Sequence, residues 1–184
     1  MTLQLPTVAR AALLGLATGS RSFTGLAAQV LATPSLATRQ PERALGRLRV
    51  KGLVGLVAAG ELVGDKLPAV PSRLAPPVLA SRLGLAALTA LLVSRAADEE
   101  ERSRRGPTAD EQGPAEASLP PGGRTPAVPA TAYVAVPVAV AASLASALLG
   151  HAWRGRASKA VGRDWPGAVA EDVTALALAA VATR

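Results

Sequence analysis

The chain has no cysteine and a single histidine. Disulfides, thiol nucleophiles and Cys-ligated metals are thereby excluded, and multi-His metal sites and His-based triads lose their footing. Aromatic residues are nearly missing: Phe and Tyr occur once each and Trp twice, together 2% of 184 residues. A water-soluble core of this length ordinarily buries several large aromatics. No G-x-G-x-x-G, Walker-type or H-E-x-x-H motif is present, so no catalytic, cofactor-binding or metal-binding residue is assigned and no enzymatic activity is expected.

What is present is apolar and small. Hydrophobic residues reach 49%, chiefly Ala, Leu and Val. Small side chains let helices approach closely, which is how helices associate in lipid. Mean hydropathy is +0.30 although 18% of residues are charged, so charge and apolarity must be segregated along the chain. The net charge of +7 permits attraction to an anionic lipid surface or to nucleic acid.

The 29 residues from Thr125 to Trp153 carry no formal charge. About 20 apolar residues suffice to cross a hydrocarbon core, so a transmembrane helix is expected from near Val128, with a kink at Pro137. Four weaker segments accompany it: Ala11–Thr38, Gly52–Gly64, Leu74–Ser94 and Gly167–Thr183. Gly52–Gly64 is too short to span alone, so it must borrow residues from the basic stretch before it or be half-inserted. The expected fold is an all-α, multi-pass transmembrane helical bundle of about five membrane segments, with four as the alternative. The organisation is three segments in residues 1–97, a disordered charged and Pro-rich linker over 98–126, and two segments in 127–184. The N-terminus lacks the basic cluster of a cleavable signal peptide, so the first segment is read as retained.

The stretch 39–51 holds Arg39, Arg43, Arg47, Arg49 and Lys51. Arg43, Arg47 and Lys51 are spaced to share one helical face, so a short interfacial helix holding anionic headgroups is expected. Nucleic acid is the runner-up partner for this patch, and it is set aside because no stacking aromatics interleave with the basic residues. With five spans, the side holding loops 32–51 and 97–126 and the C-terminus carries 11 Lys and Arg, against seven opposite. That weak bias makes the first side cytoplasmic.

Charges inside apolar segments are costly and need a reason. Arg21 lies in T-G-S-R-S-F-T-G among poor helix formers, so the first helix is expected to break there or to end there with Arg21 snorkelling. Arg82, nearer the start of its segment, is expected to snorkel. Glu61 and Asp65, four apart in G-E-L-V-G-D-K-L-P, share a face beside the Gly60 and Gly64 pair. The final motif runs from His151 through Arg154 and Lys159 to Asp164, which can N-cap a helix bearing Pro166 in its first turn and Glu171 and Asp172 beyond. Trp153 and Trp165 flank its basic stretch, as aromatics do at an interface.

In order, G-L-A-T-G-S-R-S-F-T-G-L, G-E-L-V-G-D-K-L-P, G-H-A-W-R-G-R-A-S-K and A-E-D-V resemble the domain-of-unknown-function 4126 family, bacterial integral membrane proteins with no established activity. The resemblance covers nearly the whole chain outside the linker. It implies that Arg21, Glu61, Asp65, Lys66, Pro68, His151, Lys159, Glu171 and Asp172 are the family's recurrent polar positions, and it supplies no mechanism. Two functions are weighed. The first is a small solute, ion or proton-coupled transporter of the bacterial cytoplasmic membrane, with Arg21 and Glu61 as a buried ion pair and Glu171 and Asp172 approaching them. The second is a non-transporting scaffold or oligomerising protein whose buried charges only lock helix packing.

Overall fold

A computed structural model describes residues 5–35, 42–64, 75–105, 128–161 and 165–184. All the described secondary structure is helical: α1 (Thr7–Ser20), α2 (Thr24–Ala32), α3 (Glu42–Leu45), α4 (Leu48–Gly64), α5 (Pro76–Arg105), α6 (Ala132–Val161) and α7 (Trp165–Ala182). Two of these, α5 and the Ala132–Arg156 part of α6, are long and apolar enough to cross a membrane.

The helix breaks at Arg21, whose backbone is extended at φ −141° and ψ 116°. The chain does not then continue in the same direction. A Cβ on Gly25 would meet Thr18 Oγ1 and the Leu14 carbonyl, and Ala28 packs against the cluster of Leu14, Ala17 and Val93. Eleven helical residues in line would separate Leu14 and Gly25 by about 16 Å. α2 therefore turns back along α1, and the segment expected to span from Ala11 to Thr38 is a helical hairpin. Gly25 is required at the close approach because any side chain would strike the backbone of α1.

α1 is the central helix, packed against α2, α5, α6 and α7. Its contact with α6 is the closest. Ala11, Gly15 and Gly19 recur every fourth residue and face Ala135, Ala139 and Ser143 of α6. A Cβ on Gly15 would strike the Ala139 backbone, and one on Gly19 the Ser143 carbonyl and Ser146 Cβ. Two small-residue stripes at the same spacing let the backbones meet, the geometry by which helices associate without a large apolar side chain between them. At Gly60, where a close contact is expected, no described residue lies opposite a Cβ.

Helix directions follow from the same contacts. α6 runs parallel to α1, and α7 runs antiparallel, since Asp172 meets Arg21 and Arg10 Nε donates to the Ala182 carbonyl at 2.8 Å. Both described ends of the chain thus lie at one end of the bundle, whereas five crossings would put them at opposite ends. The hairpin at Arg21 is the cause of the difference. α4 begins at Leu48, inside the basic stretch, and so borrows residues as expected. Its 17 residues extend about 25 Å.

Two boundaries differ from expectation. The acidic and basic residues assigned to the linker from Asp98 to Arg105 continue α5, because Asp98–Arg102, Glu100–Arg104 and Glu101–Arg105 pair one turn apart and opposite charges at that spacing support a helix. The rest of the linker lies outside the described residues. α6 passes through Pro137 and on beyond Trp153 to Val161, where a basic loop was expected.

Polar and apolar side chains share the interior. Among the described residues the largest fully buried side chain is Arg21, and Thr18, Thr89, Ser94 and Ser143 are fully buried beside Leu14, Val30 and Val93. Leu53, Leu56, Leu148, Leu149, Val173 and Tyr133 are exposed, Tyr133 by 74%. Water-soluble proteins seldom bury arginine while exposing many large apolar side chains.

Candidate functional site

The site is built on the turn Arg21–Phe23 between α1 and α2. A helix break leaves carbonyls unpaired on one side and amides on the other. The sequence there supplies Gly19, Ser20, Ser22, Thr24 and Gly25, whose weak helix preference concentrates the break at one place. Side chains from two neighbouring helices satisfy the exposed backbone groups.

Arg82 of α5 donates from Nη1 to the Gly19 carbonyl at 2.6 Å and to the Ser20 carbonyl at 3.2 Å. It is 3% exposed. A guanidinium over a helix C-terminus matches the negative end of the macrodipole. Glu61 of α4 accepts hydrogen bonds on its two carboxylate oxygens, from the Ser22 amide at 2.7 Å and the Phe23 amide at 2.9 Å. Its Oε1 lies 4.0 Å from Arg82 Nη2. The acid therefore sits over the amides that open α2 and the base over the carbonyls that close α1.

Arg21, 1% exposed, pairs with Asp172 of α7. The expected Arg21–Glu61 pair is thus replaced by two others, Arg21–Asp172 and Arg82–Glu61. The reason is geometric: once α2 folds back, Glu61 meets the backbone of the turn, while the Arg21 side chain points toward α7. Arg82 does not snorkel, because at the start of α5 it faces the end of α1 rather than the surface.

On α6, about two turns beyond Ser146, Arg154 Nε donates to Glu171 Oε2 at 2.8 Å, and Gly150 leaves room for that carboxylate. Ser20 Oγ and Ser146 Oγ are 2.9 Å apart, tying the end of α1 to the middle of α6. Gln29 Oε1, Ser94 Oγ and Ser143 Oγ are buried without a hydrogen-bond partner among the described residues.

Of the residues singled out from sequence, Arg21, Glu61 and Asp172 converge on the turn, and Glu171 lies beside them through Arg154. His151 is exposed and does not join them. Asp65 and the Lys159 side chain lie outside the described residues. In the basic stretch Arg39 is also outside them, while Arg43, Arg47 and Arg49 are exposed. Arg43 and Lys51 do not share one continuous helical face, because α3 ends at Leu45 and α4 begins at Leu48. Lys51 Nζ donates to the Leu31 carbonyl at 3.1 Å, so it closes the far end of α2 as Arg82 closes α1.

Arg82 and Arg154 are the contributors missed from sequence. The signal for Arg82 was the one used for Arg21, a charge inside an apolar run. Comparison of the chain with family models, curated proteins and solved structures returns no match.

Proposed function

We propose that the chain is a multi-pass integral protein of the bacterial cytoplasmic membrane, related to the domain-of-unknown-function 4126 family, and that the charged turn Arg21–Phe23 is the working site of a small proton-coupled transporter. The observation that carries this reading is the placement of charge and large apolar groups: Arg21 and Arg82 are buried, while many leucines and valines, with Tyr133 and Trp153, are exposed. Lipid accepts the second and excludes the first.

Depth supports it. The turn lies level with Ser146, about 21 Å along α6 from Ala132 and about 9 Å from Ala152, by helical rise. Broken helices whose ends face a buried polar site are the way transporters place backbone and charge inside the bilayer. Charge balance supports proton coupling. Arg21, Arg82 and Arg154 oppose Glu61, Asp172 and Glu171, so the described cluster is neutral. A charged solute entering it must be accompanied by a proton or counter-ion. The partnerless Gln29, Ser94 and Ser143 groups want water, as a hydrated path supplies.

Orientation follows the positive charge. Arg10, counted with the minority side when five spans were expected, sits with Arg104, Arg105 and Arg184 around one cleft. Moving it makes the count 12 against six, and the majority side is cytoplasmic. Exposed Arg43, Arg47 and Arg49 then meet anionic headgroups there.

The test is proton or solute flux in proteoliposomes, comparing the wild type with Glu61→Gln. Flux in the wild type and its loss in the variant is the expected result; background flux in both ends this reading. The scaffold alternative draws on a specific observation: Glu61, Glu171 and Asp172 each have an intramolecular partner, and Glu61 has three. In that reading the cluster holds the break and the open faces of α4 serve self-association.

A further inference from the structure

We propose that Glu61 occupies a site that takes a small external monocarboxylate with an apolar body, so that Glu61 is a tethered occupant which such a ligand displaces. This inference rests on the transporter reading of the turn and names its substrate class.

Three independent features carry it. The donors remain in place without Glu61. Arg82 is buried and held by the Gly19 and Ser20 carbonyls, so its guanidinium keeps its position when the carboxylate leaves. The Ser22 and Phe23 amides belong to a turn fixed by α1 on one side and α2 on the other. Two adjacent N–H donors and a guanidinium suit the two coplanar oxygens of a carboxylate.

The occupant is the most exposed of the three acids in the cluster. Its side chain is 19% exposed, against 15% for Asp172 and 8% for Glu171. It rides on α4, which packs chiefly on α2 among the described elements and whose Gly52, Gly55 and Gly60 have no described residue opposite them. Withdrawal of α4 therefore breaks little apolar contact.

Room for the rest of the ligand adjoins the site. A cavity of about 460 Å³ runs between α2, α4 and α7, lined by Thr24, Ala27, Ala58, Ala59, Leu176 and Ala180 among others. Thr24 follows Phe23 directly, and Ala58 and Ala59 lie within one turn of Glu61. An anion at the turn with its hydrocarbon in this groove matches the usual division of a binding pocket into few polar anchors and an apolar wall.

The experiment is chemical rescue of Glu61→Ala in detergent micelles, read as the thermal unfolding midpoint. Sodium acetate, butyrate, phosphate and chloride are compared at equal ionic strength. The variant should unfold below the wild type. Acetate and butyrate should raise its midpoint saturably by about 4 °C, butyrate at the lower concentration, while the wild type responds only at higher concentration because the ligand must first displace Glu61. An equal response to chloride, rescue by phosphate alone, or no rescue overturns the proposal. If the variant does not accumulate folded, the yield of monodisperse protein solubilised in butyrate replaces the midpoint: recovery over chloride supports the proposal, and no recovery overturns it. Because the readout is binding, absence of wild-type flux and absence of rescue are separate results.

Discussion

The two ends of α5 use the same residue types in opposite ways. At its start, Arg82 is buried, and its partners are the backbone of α1 and a carboxylate 21 residues away in sequence. At its end, Arg102, Arg104 and Arg105 each pair with an acid one turn earlier, and all three guanidiniums are more than 60% exposed. The first arrangement joins four helices at one point; the three pairs of the second each lie within their own helix. An ion pair's structural weight is therefore set by what else its partners hold and by whether water can replace them.

The largest effect should come from breaking the buried end. Arg82→Ala leaves the Gly19 and Ser20 carbonyls and the Glu61 carboxylate without their cation. Removing one partner of such a group costs about 3 kcal/mol or more, so the variant should unfold far below the wild type in micelles or fail to accumulate. Arg82→Lys should recover only part of this, because a single ammonium does not reproduce the planar fork spanning carbonyls and carboxylate. Full recovery by Lys would show that charge alone matters there.

A packing substitution should come next. Gly15→Val places a branched side chain against the Ala139 backbone, which neither helix can yield by a rotamer change. Overpacking costs about 1–3 kcal/mol, and the same measurement should show it. Gly55→Val on α4, with no described residue opposite, should cost no more than the helix preference of the residue. Equal losses at the two glycines would contradict the placement of α1 against α6.

A cycle over Arg21→Ala, Asp172→Ala and the double variant should follow. Groups in direct contact couple by about 0.5–3 kcal/mol, so the double variant should be more stable than the sum of the two losses implies. The corresponding cycle over Arg21 and Glu61 should be nearly additive. Reversal of that order would restore the pairing expected from sequence.

These contrasts mark what the sequence makes legible. Helical class, the break at Arg21, the extension of α4 into the basic stretch and the inward placement of Glu61 and Asp172 could all be read, because each rests on local composition or on the cost of charge in an apolar run. The direction taken after the break could not. Nothing in S-R-S-F-T states that α2 turns back; that depends on Gly25 meeting Thr18 and Leu14, a contact between elements. The partners exchanged for the same reason. The Ala11, Gly15 and Gly19 stripe was visible but indistinguishable from the many small residues around it, whereas Gly60 and Gly64 drew notice beside an acid and pack on nothing described at Gly60. Arg82 was set aside on its distance from the segment end, a measure that assumes the segment stands alone in lipid.

The smallest effect belongs to the exposed end of α5. Arg104→Ala removes an i,i+4 pair with Glu100 whose members are 64% and 49% exposed. Such pairs contribute about 0.3–0.5 kcal/mol, and salt screens them. The unfolding midpoint should move by little more than the error of measurement, and the difference from wild type should vanish when ionic strength is raised. Arg82→Ala should keep its deficit at the same ionic strength, because a group buried under α1 is not reached by mobile ions. If Arg104→Ala were instead strongly destabilising and insensitive to salt, the cleft it lines with Arg10 and Arg184 would be holding that end of the bundle together, and the contrast between the two ends of α5 would be one of position rather than of burial.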